Sequence, residues 1–341
     1  MRRSVPATGR TRPCWISGSE DPVSCYERRV HPEPELLQIL EHGFPRCRLL
    51  GVAELGGGVS ARAVVAELVL EDGTPRRVVV RHPRAEGPDA TRSAPATEYA
   101  LLTWCHQFGI HAPVPCFIDE SRGAIVLEYV QGDVDLSRIG APSRLTQMAE
   151  ELARIHRAPI GSELGSLGRH RERVRSDVLG SPAELDSALN EAELRSHLRE
   201  LWPWPQHNAD VVLHGDYWPA NIVWRDDELL AVLDWEGASL GDPLADVAVT
   251  RLDLLWAFGE AAMQSFTDRY RELTRIDWRN LARFELWAAL RPMSRLAVWA
   301  PPYALTPLSR PDITEASMQR GHRRFVEQAL ASLSAERTQP R

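Results

Sequence analysis

The 341-residue chain contains no lysine, so all 40 Lys+Arg side chains are arginine, a bias that looks genome-wide. Any task that a lysine ammonium would perform falls here to a planar, forked guanidinium. Cysteine is scarce and irregular. Cys14, Cys25, Cys47, Cys105 and Cys116 are odd in number, scattered and never in a C-x-x-C pair, which argues against a disulfide framework and a zinc site. No apolar run approaches the roughly 18 residues of a membrane helix. The basic start, MRRSVPATGRTRPCW, has no apolar segment after it, so neither a secretory nor a twin-arginine signal is expected. Together these absences predict a cytoplasmic protein with reduced thiols and no membrane contact. A net charge of −7 disfavours a nucleic-acid partner. Internal repeats, heptads and low-complexity tracts are also missing.

What is present is ordinary globular composition, 43% hydrophobic and 26% charged, in a chain long enough to predict two lobes or domains. Residues 1–30 are rich in Arg, Pro, Ser, Thr and Gly and read as a disordered tail or an overlong start. Pro34 to Glu41 has leucines at helical spacing. Leu49 to Leu55, Ala63 to Leu70 and Arg77 to Arg81 read as strands, the last two joined by a turn at Asp72-Gly73. Pro95 opens a helix with Glu98, Leu101, Leu102 and Cys105 on one face, and Ala124 to Val130 reads as a buried strand. Ser143 to Arg157 is amphipathic. Further helices are predicted at Ser181 to Leu201, Leu244 to Gly259, Glu260 to Leu273, Trp278 to Arg295 and Glu315 to Leu333. Arg169 to Arg175 reads as a solvated helix face or as part of a ligand site.

The chemistry gathers in Val211 to Glu236, VVLHGDYWPANIVWRDDELLAVLDWE. An apolar run delivers His214, Gly215 and Asp216 to a loop, and Asn221 follows Asp216 with four residues between. Two short apolar runs then flank Arg225 to Glu228, the pattern of a hairpin. A two-residue turn at Asp227 and Glu228 puts 226 opposite 229 and, counting outward, Asn221 opposite Asp234. Directly opposed residues lie roughly 4.5–5.5 Å apart at Cα, so an amide oxygen and a carboxylate can share one hard cation such as Mg²⁺. Asp, then Asn, then a second Asp across a hairpin is the set that phosphoryl transfer from a nucleotide needs.

HGDYWPAN followed by LDWE and GDPLAD resembles the aminoglycoside phosphotransferase and choline kinase-like family, relatives of the protein kinases. That resemblance implies an α+β, protein kinase-like two-lobed fold. Residues 31–130 would form a sheet-rich nucleotide lobe and 131–335 a mainly helical catalytic and acceptor lobe. It implies that Asp216 is the catalytic residue and that Asn221 and Asp234 hold Mg²⁺, with Glu236 a secondary candidate. Gly57, Gly58 and Ser60 would cover the phosphates, although Ala61 stands where many relatives have Asn. Arg81 takes the strand-three lysine position with Glu98 as its partner, and Glu128 and Val130 would contact the nucleotide base through backbone atoms. His214 would brace the loop, as would Asp242 and Asp246. The acceptor pocket would lie among the C-terminal helices, where Asp253 and Glu285 are candidate contacts for a cationic acceptor.

The function so implied is a small-molecule kinase moving the γ-phosphoryl of ATP, or of GTP, to a hydroxyl. Fold and site analogy do not identify the acceptor. Arg81 keeps a second reading open, a nucleotide-binding pseudokinase acting as an interaction module. A hydrolase using HGD is weaker, because the His-rich clusters of metal hydrolases are missing.

Overall fold

The computed structural model describes residues 27–29, 31–55, 61–83, 95–134, 136–137, 140–305 and 308–338. The first lobe is a six-stranded sheet in the order β1-β2-β3-β4-β6-β5, from β1 (Glu27–Arg29), β2 (Arg48–Leu55), β3 (Ala61–Val69), β4 (Pro75–Pro83), β5 (Pro115–Asp119) and β6 (Ala124–Glu128). Every neighbouring pair is antiparallel. The sheet thus begins inside the segment read from sequence as a tail to residue 30; residues 1–26 lie outside the described residues.

Alternation along the strands sorts side chains to two faces. Val78 and Val80 of β4, with Ala124 and Val126 of β6, pack under α1 (Pro34–Gly43), whose Leu36, Ile39 and Leu40 close that core. The intervening Val79, Ile125 and Leu127 face the other way, toward Leu101, Leu102 and Cys105 of α2 (Pro95–Gln107) and the continuous core of the second lobe. Arg81, two residues beyond Val79, shares that second face. The pleat therefore aims a guanidinium at α2 and the catalytic lobe.

The second lobe is mostly helical. It contains α3 (Pro142–Arg157), α4 (His170–Leu179), α5 (Glu191–Leu201), α6 (Leu244–Phe258), α7 (Glu260–Leu273), α8 (Leu281–Ala288), α9 (Leu296–Tyr303) and α10 (Glu315–Thr338). Helix α6 is buried along nearly its whole length and packs against α7, α8 and α10, while α3 lies on α7. Among the described residues no helix is long and apolar enough to cross a membrane. The free thiols there are Cys47, Cys105 and Cys116.

Two expected helices are broken, each for a local reason. Asp186 caps a short 3-10 turn through the amides of Ala188 and Leu189, and Asn190 adopts a left-handed φ of 52°. Only Glu191–Leu201 of the predicted Ser181 to Leu201 helix is α-helical. Trp278 to Arg295 is split because Pro292 cannot continue the hydrogen-bond ladder. The chain leaves α8 at Ala288 and re-enters a helix at Leu296.

Two small ribbons carry the loop chemistry: β7 (Val211–Leu213) pairs with β10 (Ser239–Gly241), and β8 (Ile222–Arg225) with β9 (Glu228–Val232). The β8–β9 hairpin is pinned from several sides. The buried Arg144 of α3 lies 4.7 Å from the Trp224 ring centroid, and its Nε donates to Asp227 at 3.3 Å. Trp224 and Asp133 exchange two backbone bonds of 2.8 Å, and the Val232 amide donates to the His111 carbonyl at 2.9 Å. The hairpin is thereby fixed to the chain segments that join it to the first lobe.

Candidate active site

Strand β7 delivers His214, Gly215 and Asp216, and Asp246 in the first turn of α6 fixes the loop they form. The Asp246 carboxylate accepts from the amides of His214 at 2.7 Å and Gly215 at 2.8 Å, and His156 Nε2 lies 3.1 Å away. Burial alone would raise the Asp246 carboxyl, but the bond from His156 and the other contacts hold it below the usual range. Gly215 has φ +82°, and a Cβ there would stand 2.2 Å from the Gly237 carbonyl oxygen. Glycine is thus required twice over.

His214 is fully buried. Its Nδ1 accepts from the Asp216 amide at 3.2 Å and its Nε2 meets the Leu233 carbonyl at 2.8 Å. A neutral ring protonated on Nε2 satisfies both contacts. The imidazole joins the HGD loop to the residue that follows β9.

The hairpin register differs from the one read off the sequence. Arg225 pairs with Glu228, so the turn is Asp226-Asp227, and Asp226 takes the left-handed φ of 55° that the turn needs. A bulge between Val223 and Trp224 then shifts the ladder to Ile222 opposite Val232, and Asn221 accepts from the Leu233 amide at 2.7 Å. Asn221 therefore faces Leu233, and Asp234 lies one residue beyond. A left-handed φ of 62° turns the backbone at Asp234.

The Asn221 side chain spends its Nδ2 on Asp216, donating to the carbonyl at 3.0 Å and to Oδ2 at 3.1 Å. Among the described residues that leaves its amide oxygen as a free acceptor. Burial pushes the Asp234 carboxyl up; Arg81 opposes this, while the charges of Glu236 and Asp216 raise it further. Among the described residues no three His, Cys, Asp or Glu side chains gather as a ready-made metal site. An amide oxygen beside a carboxylate crowded by like charges nevertheless fits a hard divalent cation.

Arg81 bridges the lobes. Its Nη1 donates to Glu98 of α2 and its Nη2 to Glu236, and Asp234 Oδ1 lies 3.6 Å from the same Nη2. Burial lowers its proton affinity, but the charges of Glu98, Glu236 and Asp234 outweigh that and raise it. Glu236, the secondary metal candidate, is thus bonded to Arg81. The Glu128 amide donates to the Val114 carbonyl at 2.8 Å, which leaves only its carbonyl for a base edge; Val130 follows two residues on. Gly57, Gly58 and Ser60 lie outside the described residues.

One residue of the site has no counterpart among the sequence candidates. Arg291, in the turn between α8 and α9, donates through Nη2 to Asp216 Oδ1, and its Nη1 is 3.6 Å from Asp253 Oδ2. The signal was Pro292: a proline inside a predicted helix marks a turn, and a turn can present its preceding side chain to a cleft. The candidate acceptor contacts are also paired. Glu285 accepts from Arg251 Nε at 2.7 Å, and Asp253 faces Arg291.

An Asp-Asn pair on one loop, a second Asp across a hairpin and an Arg-Glu pair reaching in from a sheet lobe are the parts of a kinase-like phosphotransferase site. The chain belongs to the phosphotransferase enzyme family, whose model matches residues 51–287. It has that family's α+β, two-lobed fold. A macrolide 2'-phosphotransferase from Brachybacterium faecium superposes with a TM-score of 0.56 at 21% identity, covering 83% of this chain and 97% of that one. The GDP complex of an aminoglycoside 2'-phosphotransferase superposes with a TM-score of 0.59 at 16% identity, covering 87% and 98%. Acyl-CoA dehydrogenase family member 10 of Mus musculus is 28% identical over 179 residues, which is 46% of this chain but 17% of that protein. The chain thus matches only a small part of this curated relative.

Proposed function

We propose that the protein transfers the γ-phosphoryl group of ATP, with GTP as the alternative donor, to a hydroxyl of a small molecule. The observation that carries this is the bonded pair Asp216 and Asn221, set beside Asp234 and the Arg81–Glu98 pair. Asp216 holds the acceptor hydroxyl in line with the γ-phosphorus. The acceptor oxygen bonds to phosphorus as the bond to the β-phosphate oxygen breaks, and the hydroxyl proton passes to Asp216. A loose transition state asks little of the base until late, so positioning and charge stabilisation dominate.

Asn221 and Asp234 would hold Mg²⁺, which when bound neutralises charge on the β- and γ-phosphates. Arg81, oriented by Glu98, holds phosphate oxygens; its fork suits bidentate contact, where a lysine would offer a point charge. The nucleotide base would lie against the backbone at Glu128 and Val130; Gly57, Gly58 and Ser60, which the family resemblance assigns to phosphate contact, lie outside the described residues. The lobe built on β1–β6, from Glu27 to about residue 130, serves as the nucleotide lobe, and residues 131–335 as the catalytic and acceptor lobe.

The test is nucleotide consumption with ATP or GTP and Mg²⁺ over a panel of hydroxyl compounds, with mass detection of product. A product heavier by one phosphoryl group, lost in Asp216→Ala with nucleotide binding retained, supports the reading. Tight Mg²⁺-dependent nucleotide binding with no product from any acceptor would favour the pseudokinase instead.

A further inference from the structure

We infer that Arg291 recognises the acceptor and that the acceptor carries an anionic group, a carboxylate or phosphate, near the hydroxyl to be phosphorylated. This rests on the proposed phosphotransfer, since it names the substrate class of the same site.

The first support is position. Arg291 bonds Asp216, the residue that would hold the attacking hydroxyl. It enters from the α8–α9 turn, whereas the phosphate-holding Arg81 enters from β4. Arg291 therefore lies on the acceptor side, within one side chain of the attacking oxygen.

The second is spare donor capacity. A guanidinium has five N–H donors, and among the described residues that of Arg291 makes one hydrogen bond, to Asp216. Its Nη1 stands 3.6 Å from Asp253, beyond hydrogen-bond range. Neither Nη1 nor Nε is sealed from solvent without a partner, as Nη1 of Arg144 is. The side chain is only 20% exposed, and a charge-assisted bond formed at such a largely buried position is stronger than one in open water. Burial raises the Asp253 carboxyl to about 7 even though Arg291 opposes the rise. Among the described residues Asp216 is the one carboxylate hydrogen-bonded to Arg291.

The third is that, among the described residues, the candidate carboxylates for a cation already face arginines. Glu285 is bonded to Arg251, Asp253 faces Arg291, and Asp216 is bonded to Arg291. An ammonium acceptor would meet carboxylates already paired with arginine. An anion would instead draw Arg291 from Asp216 Oδ1 and vacate that oxygen for the acceptor hydroxyl. Recognition and release of the base are then one movement. The nearby wall is aromatic: Tyr303 is buried and packs edge-on against Trp218 at a 6.0 Å centroid distance.

The test uses 3-hydroxybutyrate and glycerol 3-phosphate as anionic probes, 3-hydroxybutyramide and glycerol as neutral partners, and ethanolamine as the cation. Each is added to the full chain with Mg²⁺ and a saturating non-hydrolysable ATP analogue, which occupies the nucleotide's own phosphate sites. Thermal shift reports binding without turnover; mass detection with ATP reports transfer. The wild type is expected to be stabilised by an anion and not by the neutral or cationic probes. Carboxylate and phosphate arms separate the two kinds of anion. A preference in kcat/KM of about tenfold or more for acid over amide should fall to about one in Arg291→Gln. Because that variant leaves buried Asp253 uncompensated, Arg291→Gln is also made with Asp253→Asn, and Arg291→Lys should restore part of the anion response.

No anion shift in the wild type, an equal shift with the amide, or an anion shift that survives in the double variant would overturn the proposal. Anion binding through Arg291 with no phosphoryl transfer to any hydroxyl would instead remove the kinase reading and leave the anion site. Transfer to neutral and cationic acceptors alike, unchanged by Arg291→Gln, would do the reverse.

Discussion

Arg81 on β4 and Glu236 beyond β9 bond to each other across the cleft, and the same guanidinium bonds Glu98 in α2. One forked side chain thus spans two acidic partners in different lobes, a geometry that a single ammonium cannot copy. Arg81→Gln leaves the buried Glu98 without its cation and should cost about 3 kcal/mol of stability. It should also lower kcat/KM by roughly 10²-fold through lost phosphate contact. Arg81→Lys should lose less of both, because it keeps the charge and one of the two bonds. Thermal melts and steady-state kinetics separate the two effects; turnover by Arg81→Gln at the wild-type rate would remove Arg81 from the phosphate site.

Much of this arrangement was legible through the family resemblance, which put Arg81 in the strand-three lysine position with Glu98 as its partner. The structure supplies the physical reason: alternation along β4 turns Arg81 to the α2 face, where it bonds Glu98. The register of the β8–β9 hairpin was not legible. A turn one residue earlier and a bulge at Val223 and Trp224 depend on how the hairpin packs against Arg144 and Asp133, and a one-residue slip is invisible to composition. Arg291 escaped for a different reason. Its partner Asp216 lies 75 residues earlier, so only the tertiary fold brings the two together.

Replacing Asp216 with asparagine keeps the size of the side chain and removes its charge. It should lower kcat by about 10²–10⁴-fold while nucleotide affinity changes less than about threefold, a change worth under ~1 kcal/mol. Arg291 would lose its counter-charge in the variant, so the anion response of the acceptor site should strengthen. Parallel isothermal titration with nucleotide and single-turnover transfer would show whether chemistry alone is lost.

The HGD loop depends on backbone geometry as much as on its carboxylate. Gly215→Ala must place a Cβ 2.2 Å from the Gly237 carbonyl oxygen while holding a φ of +82°. The loop cannot keep its position with the extra atom present, so the amides bonded to Asp246 must move as well. The expected loss is about 3 kcal/mol or more in denaturant unfolding, with transfer activity falling further than stability alone explains. Near-native stability and activity in Gly215→Ala would show that the loop can take another path.

His170, which takes no part in the proposed chemistry, should contribute an acid-sensitive share of the stability. The ring is buried edge-on against Trp287 with centroids 4.6 Å apart. Burial, reinforced by Arg173, pushes its pKa from 6.5 down to about 4. The unfolded chain therefore binds this proton more readily than the folded one. Stability contributed by the neutral ring is fully present above pH 6.5 and is lost as pH falls toward 4. From pH 7.5 to 5.5 this group alone should remove roughly 1 kcal/mol. Asp253 acts in the opposite sense. Its carboxyl is raised to about 7 by burial, so the stability of its neutral form is present at low pH and lost as pH rises through that value. Over this range the two trends oppose each other, and the difference between wild type and His170→Phe isolates the histidine. Urea unfolding of both proteins at pH 7.5 and 5.5 should show the wild type responding to acidification less favourably than the variant by roughly 1 kcal/mol. Equal responses would mean that His170 stays accessible to protons in the folded state, and that the acid response comes from other groups.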